Sequence, residues 1–170
     1  MQPLFILLAC TLAVAVATDL KQRRIPDLLT YPAMIAALAF RFWKDGTGDL
    51  ESGLLSGLAG LALAAGWFGV FALSGKGMGW GDVKLAGVMG AAFGIPLSLT
   101  GLVFISLAGA LQAIVSLLWR GDLSDTVRTV LSRKVGSPGD TEKPERHIPY
   151  GVAIALGSLW AMWWDSHRFS

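Results

Sequence analysis

Two aspartates stand at the edges of apolar segments, where an ionised side chain is costly. Asp19 directly follows the first apolar run, and Asp82 directly precedes a short apolar run that begins at Val83. A carboxylate at membrane depth is a candidate functional group, but a helix-end residue at the level of the lipid headgroups would occupy the same position. Two neighbouring carboxylates can share one proton, so that one activates water while the other protonates a leaving group. The two residues therefore indicate acid–base hydrolysis that needs no metal and no cofactor.

Glycines alternate through the segment before Asp82, where residues 75–82 read Gly-Lys-Gly-Met-Gly-Trp-Gly-Asp. Four alternate glycines cannot continue a helix cheaply, and they leave bare backbone that another peptide chain can approach closely. Gly77, Gly79 and Gly81 are therefore predicted to give a substrate access to the aspartate. A phosphate-binding loop would need a following Lys-Ser or Lys-Thr pair, which is absent here.

Other kinds of site find little support in the composition. The 170 residues include one cysteine, Cys10, and two histidines, which excludes an internal disulfide, a four-cysteine zinc site and a histidine-rich metal centre. Cys10 lies within an apolar run, and both histidines are distant along the chain from any serine-based motif. The net charge of +2 provides no basic field for nucleic acid. We therefore expect no metal and no nucleic-acid partner.

The elements that position these residues are predicted to be membrane helices. Apolar residues make up 54% of the chain, charged residues make up 15%, and the mean hydropathy is +0.57. Soluble domains carry about 25% charged residues. We therefore predict one all-α domain over residues 1–170, a bundle of six transmembrane segments. The segments are residues 3–18, 28–43, 53–74, 83–95, 97–119 and 148–164.

The helix ends near the two aspartates can also be predicted. Pro26 pushes Ile25 out of helical geometry, so the first helix should end near Arg24, with Asp19 about one turn inside it. Asp82 should begin the fourth helix. The helix dipole then predicts Asp82 as the ionised member of the pair and Asp19 as the protonated member.

Basic residues give the orientation of the bundle. Of the 14 lysines and arginines, 11 lie in, or within two residues of, the three gaps that follow the first, third and fifth segments. The positive-inside rule places these gaps in the cytoplasm, both candidate aspartates at cytoplasmic helix ends, and both termini outside. The longest gap, residues 120–147, has an apolar helical face and is predicted to lie on the membrane surface. Whether this segment docks a substrate or is a solvated connector stays open.

Three motifs stand out, and they are Asp19 with Arg23-Arg24-Ile25-Pro26, Gly79-Trp80-Gly81-Asp82-Val83-Lys84-Leu85, and Ile148-Pro149-Tyr150-Gly151. Together they resemble the aspartic prepilin peptidases, also called type IV leader peptidases, which are Gly-x-Gly-Asp membrane proteases. The resemblance covers essentially the whole chain. It implies that Asp19 and Asp82 are catalytic, and that the protein cleaves leaders from prepilins or pseudopilins at the cytoplasmic face of the bacterial inner membrane, where lipids surround it. The supporting residues are Lys84, Pro26, Pro149 and Gly151.

The chain departs from the larger members of that family, which add a cytoplasmic region with paired cysteines and an N-methyltransferase activity. Only Ile25 separates Arg24 from Pro26, and Cys10 is the single thiol. The resemblance therefore implies a peptidase without methyltransferase activity, similar to the small branch that serves tight-adherence (Flp-type) pili or to archaeal preflagellin peptidases. The alternative is a small proton- or ion-coupled transporter in which Asp19 and Asp82 bind a cation or relay protons.

Overall fold

The computed structural model describes residues 3–22, 24–74, 79–120 and 150–168, and over these ranges the chain is helical without any strand. The predicted all-α class is confirmed. Three stretches are long and apolar enough to cross a membrane, and they are Pro3–Gln22, Gly53–Leu73 and Trp80–Val115. The helices are α1 (Pro3–Gln22), α2 (Asp27–Asp45), α3 (Gly53–Leu73), α4 (Trp80–Arg120) and α5 (Tyr150–Arg168).

Helix α4 has 41 residues, but its backbone breaks at Gly94, where φ is 71° and ψ is −179°. Glycine adopts this positive φ without the steric cost that a Cβ imposes. A Cβ at Gly101, beyond the break, would lie 3.2 Å from Sδ of Met89. In a straight helix, residues twelve positions apart are separated by about 18 Å along the axis. The chain therefore reverses near Gly94, and residues 97–120 run back beside residues 80–93.

The prediction of six transmembrane segments is not confirmed as a count, because the described residues form five helices. The predicted segments 83–95 and 97–119 both belong to α4, since helical structure continues through Pro96 and the non-helical residue is Gly94. Helices α2 and α5 are not among the stretches apolar enough to be membrane-span candidates. The predicted separation at Pro96 thus corresponds to a reversal within one helix, two residues from the expected position.

The first half of α4 lies at the centre of the bundle, and residues 85–94 are all buried. Helix α3 crosses it closely at Gly60 and Gly90. The approach is so close that a Cβ at either glycine would collide with the backbone of the other. Helix α5 packs on the returning half of α4, where the rings of Phe104 and Trp160 stack with centroids 5.4 Å apart. Small residues permit the close α3–α4 approach, and this packing fixes where the two ends of α4 lie.

Candidate active site

Asp82 lies in the first turn of α4 and is 8% exposed. The N–H of Gly79, just before the helix, donates to Oδ2 of Asp82 at 3.3 Å. The N–H of Asp82 donates in turn to the carbonyl of Gly79 at 3.1 Å. A carboxylate at this position of a helix satisfies one of the backbone donors that every helix start leaves free. The residue is therefore held in place by the turn that begins its own helix.

Asp19 lies on α1, one turn before that helix ends at Gln22. Its Oδ2 atom is buried. The neighbour is Gly151, the second residue of α5, where a Cβ would lie 2.8 Å from this oxygen. Any larger residue would have to displace the carboxylate or the helix. Gly151 thus provides the space that the side chain of Asp19 occupies.

The connector between α1 and α2 packs against the first turn of α4. Ile25 is buried, and its Cβ lies 3.1 Å from the position that a Cβ on Gly81 would take. Pro26 has φ −66° and ψ 135°, an extended conformation that ends the helical run, as predicted, and precedes α2. The α1–α2 connector therefore lies directly beside the residue that precedes Asp82.

An ion pair joins the starts of α2 and α4. Nζ of Lys84 lies 2.7 Å from Oδ1 of Asp27, and the same ammonium group lies over the ring of Tyr31, 5.0 Å from its centroid. Lys84 therefore pairs with a carboxylate on α2. Sequence reasoning identified Lys84 but missed Asp27 and Tyr31 as its partners, because an acid in the first turn of a helix is ordinary and gives no separate signal.

These contacts bring several residues singled out from the sequence to one end of the bundle. The C-terminus of α1 meets the N-termini of α2, α4 and α5 there. Gly77 and Pro149 lie outside the described residues, as does most of the predicted surface segment, residues 121–147. Within the described ranges, no three His, Cys, Asp or Glu side chains cluster as metal ligands would. The described members of the set are Asp19, Pro26, Gly79, Gly81, Asp82, Lys84 and Gly151.

The arrangement changes the electrostatic comparison of the two aspartates. Along its own helix, Asp19 lies near the negative end of the α1 dipole, whereas Asp82 lies at the positive end of the α4 dipole. However, the contact with Gly151 brings the positive end of α5 beside Asp19. The dipole of α5 therefore acts on Asp19 in the same direction as the dipole of α4 acts on Asp82, and the assignment of Asp82 as the ionised member stays a prediction.

An apolar cleft of about 400 Å³ opens between α3, the returning half of α4 and α5. Trp67 and Phe71 of α3 form one wall, and Tyr150 at the start of α5 forms part of the lining. Tyr150 is adjacent in the chain to Gly151, the neighbour of Asp19. Neither Asp19 nor Asp82 is among the residues that line the cleft.

Comparison with known families identifies the region that contains both aspartates. A family model described as the type IV leader peptidase family matches residues 6–114, which is 109 of the 170 residues. The match includes Asp19, Asp82 and the ion-paired residues Asp27 and Lys84. Comparisons with curated proteins and with solved structures give no match.

Proposed function

Because the chain belongs to the type IV leader peptidase family, we propose that it is a membrane aspartic endopeptidase that removes the leader peptides of prepilins or pseudopilins. One observation carries the proposal. Asp19 and Asp82, which lie far apart in the sequence, belong to helix termini that meet at one end of the bundle. Each has a buried or largely buried carboxylate beside a glycine.

The two carboxylates would act together on the scissile peptide bond. The ionised carboxylate takes a proton from water, and the resulting hydroxide attacks the carbonyl carbon. The protonated carboxylate donates a hydrogen bond to the carbonyl oxygen and later a proton to the leaving amine. A carboxylic acid and an amine result, and the pair as a whole returns to its starting protonation. Since the two groups are coupled, the pH–rate profile is expected to be bell-shaped and to report the pair.

The proposed membrane arrangement places the site at the cytoplasmic face of the bacterial inner membrane and both termini outside. The distribution of basic residues supports this orientation. The reversal of α4 at Gly94 supports six crossings, because each half of α4 then crosses once in opposite directions. Anionic lipids would hold the basic loops at the cytoplasmic surface. The absence of paired cysteines from the sequence supports peptidase activity without N-methylation.

Incubation of membranes containing the protein with a prepilin tests the function directly. We expect the leader to be removed by the parent protein, and we expect no processing by Asp19→Asn or Asp82→Asn proteins that accumulate normally in the membrane. Asp49→Asn is the matched control, because Asp49 is exposed in the α2–α3 connection. Processing by either of the first two variants at the parent rate would refute the catalytic pair. An intact prepilin with the parent protein would instead favour the transporter.

A further inference from the structure

The reversal of α4 leaves backbone groups without their helical partners. Pro96 has no N–H, so the carbonyl of Ala92 lacks the donor that a continuous helix would supply. The N–H of Ile95 donates to Oγ of Ser56 on α3, at 3.2 Å, and thus leaves the helical pattern. Ala92 is buried, so its carbonyl needs a hydrogen-bond partner within the protein.

Arg41 of α2 supplies the missing donor. Its Nη2 donates to the carbonyl of Ala92 at 3.0 Å. A Cβ at Gly94 would lie 2.7 Å from the same nitrogen, so the guanidinium packs directly against the break. The positive charge also lies at the C-terminal end of residues 80–93, where the helix dipole is negative. On the returning half, Oγ of Ser98 donates to the carbonyl of Gly90 at 3.3 Å.

We propose that Arg41 is a positioning residue for Asp82. The hydrogen bonds that Arg41 and Ser56 make at the reversal fix the position of residues 80–93, the half of α4 whose first turn carries the aspartate. Ala92 and Asp82 are ten residues apart, or about 15 Å along the helix. Because residues 85–94 are all buried, the half-helix is held on every side, and a displacement at its end is transmitted along its length. The catalytic consequence rests on the proposed function, whereas the positioning does not.

A disulfide between positions 25 and 81 measures the positioning without any substrate. The Cβ atoms would be 3.1 Å apart in the parent structure, and disulfides need about 3.5–4.5 Å, so Ile25→Cys and Gly81→Cys in a Cys10→Ser background should cross-link after a shift of a few tenths of an ångström. We expect Arg41→Met to lower the cross-linking rate about fivefold or more, because loss of a hydrogen bond to a charged group frees the end of the half-helix. Lys44→Met is the matched control, since it removes a positive charge one turn later on α2.

Processing of a prepilin by proteins with a native Ile25 and Gly81 provides the second measurement. We expect Arg41→Met to lower kcat about tenfold with KM within about twofold, because the reacting groups are misplaced rather than the binding surface. Arg41→Lys should be intermediate, since its ammonium can still donate over a shorter reach. Ser56→Ala removes another partner of the same reversal, so the double variant Arg41→Met/Ser56→Ala should fall less than the two single effects predict together.

The outcomes separate the two proposals. Parent-like cross-linking in Arg41→Met, or an equal fall in Lys44→Met, would overturn the positioning role. If Arg41→Met does not accumulate in membranes, Arg41→Lys carries the test, and parent-like cross-linking and kcat in that variant would overturn it. If the parent leaves a prepilin intact while Arg41→Met still loses the cross-link, the proposed function fails and the positioning role stands.

Discussion

Replacing Gly151 by alanine tests whether the space beside Asp19 matters for catalysis. The new Cβ would lie 2.8 Å from Oδ2 of Asp19, whereas ordinary van der Waals contact begins at 3.4 Å. The carboxylate or the start of α5 must therefore move by about 0.6 Å, which is the difference between these two distances. No other described residue needs to change its position for the methyl group to be accommodated at Gly151.

The size of the effect follows from this displacement. A misplacement of about 1 Å at a catalytic group can cost about a hundredfold in rate, so about 0.6 Å is expected to lower kcat about tenfold. That loss corresponds to about 1.4 kcal/mol in the activation free energy. KM should stay within about twofold, because the contact involves a reacting group. Alanine is also favoured over glycine within a helix by roughly 0.5–1 kcal/mol, which opposes any loss of stability.

The assay measures kcat, KM and the thermal unfolding midpoint of the Gly151→Ala protein with a prepilin substrate. The matched control is Gly66→Ala on α3, where a Cβ would meet no atom within 4 Å. We expect the control to process at the parent rate. If Gly151→Ala also processes at the parent rate while Asp19→Asn is inactive, the reasoning from the close contact is refuted. An equal loss in both alanine variants would refute it as well, since the effect would not depend on proximity to Asp19.

Three further predictions concern the packing, the ion pair and the orientation. Gly60→Ala should lower the thermal midpoint by an amount equivalent to about 1–3 kcal/mol, because the methyl group meets the carbonyl of Gly90, and an unchanged midpoint would contradict the close crossing. Lys84→Met and Asp27→Asn should each leave processing within about threefold of the parent, because the pair is partly solvent-exposed, and the double variant should match the singles. A larger loss from Asp27→Asn alone would indicate a direct catalytic role for that acid. Cysteines introduced by Ser137→Cys and Ser170→Cys should react with an impermeant reagent from opposite sides of the membrane, and labelling from one side would refute the orientation.

The sequence alone determines the features that depend on neighbouring residues. The high apolar content predicts an all-α membrane bundle, and the helices are found. Pro26 predicts the end of the first helix near Arg24, and α1 ends at Gln22 with Pro26 extended. The glycines before Asp82 predict a helix start at this acid, and α4 begins at Trp80. Proline and glycine act on the backbone locally, so their consequences can be inferred without knowing what packs against them.

The interruption of α4 is determined partly by the local sequence and partly by tertiary contacts. Pro96 predicts a separation of two segments, whereas the residue with non-helical dihedral angles is Gly94. A proline disturbs the helix through its missing N–H and through its ring, but a sharp reversal also needs a residue that tolerates a positive φ. The sequence therefore predicts that the helix is interrupted in this region, but the position of the break depends on the contacts that Arg41 and Ser56 make with it.

Only the tertiary structure decides which distant residues meet. Asp19 lies beside Gly151, 132 residues later, and Arg41 reaches Ala92 across 51 residues. Lys84 pairs with Asp27 across 57 residues. In a bundle surrounded by lipid, the inner and outer faces of a helix are both apolar, so the sequence pattern does not mark the face that packs. Close approach at small residues and the need of each buried polar group for a partner select the faces that meet, and both conditions exist only once the helices are assembled.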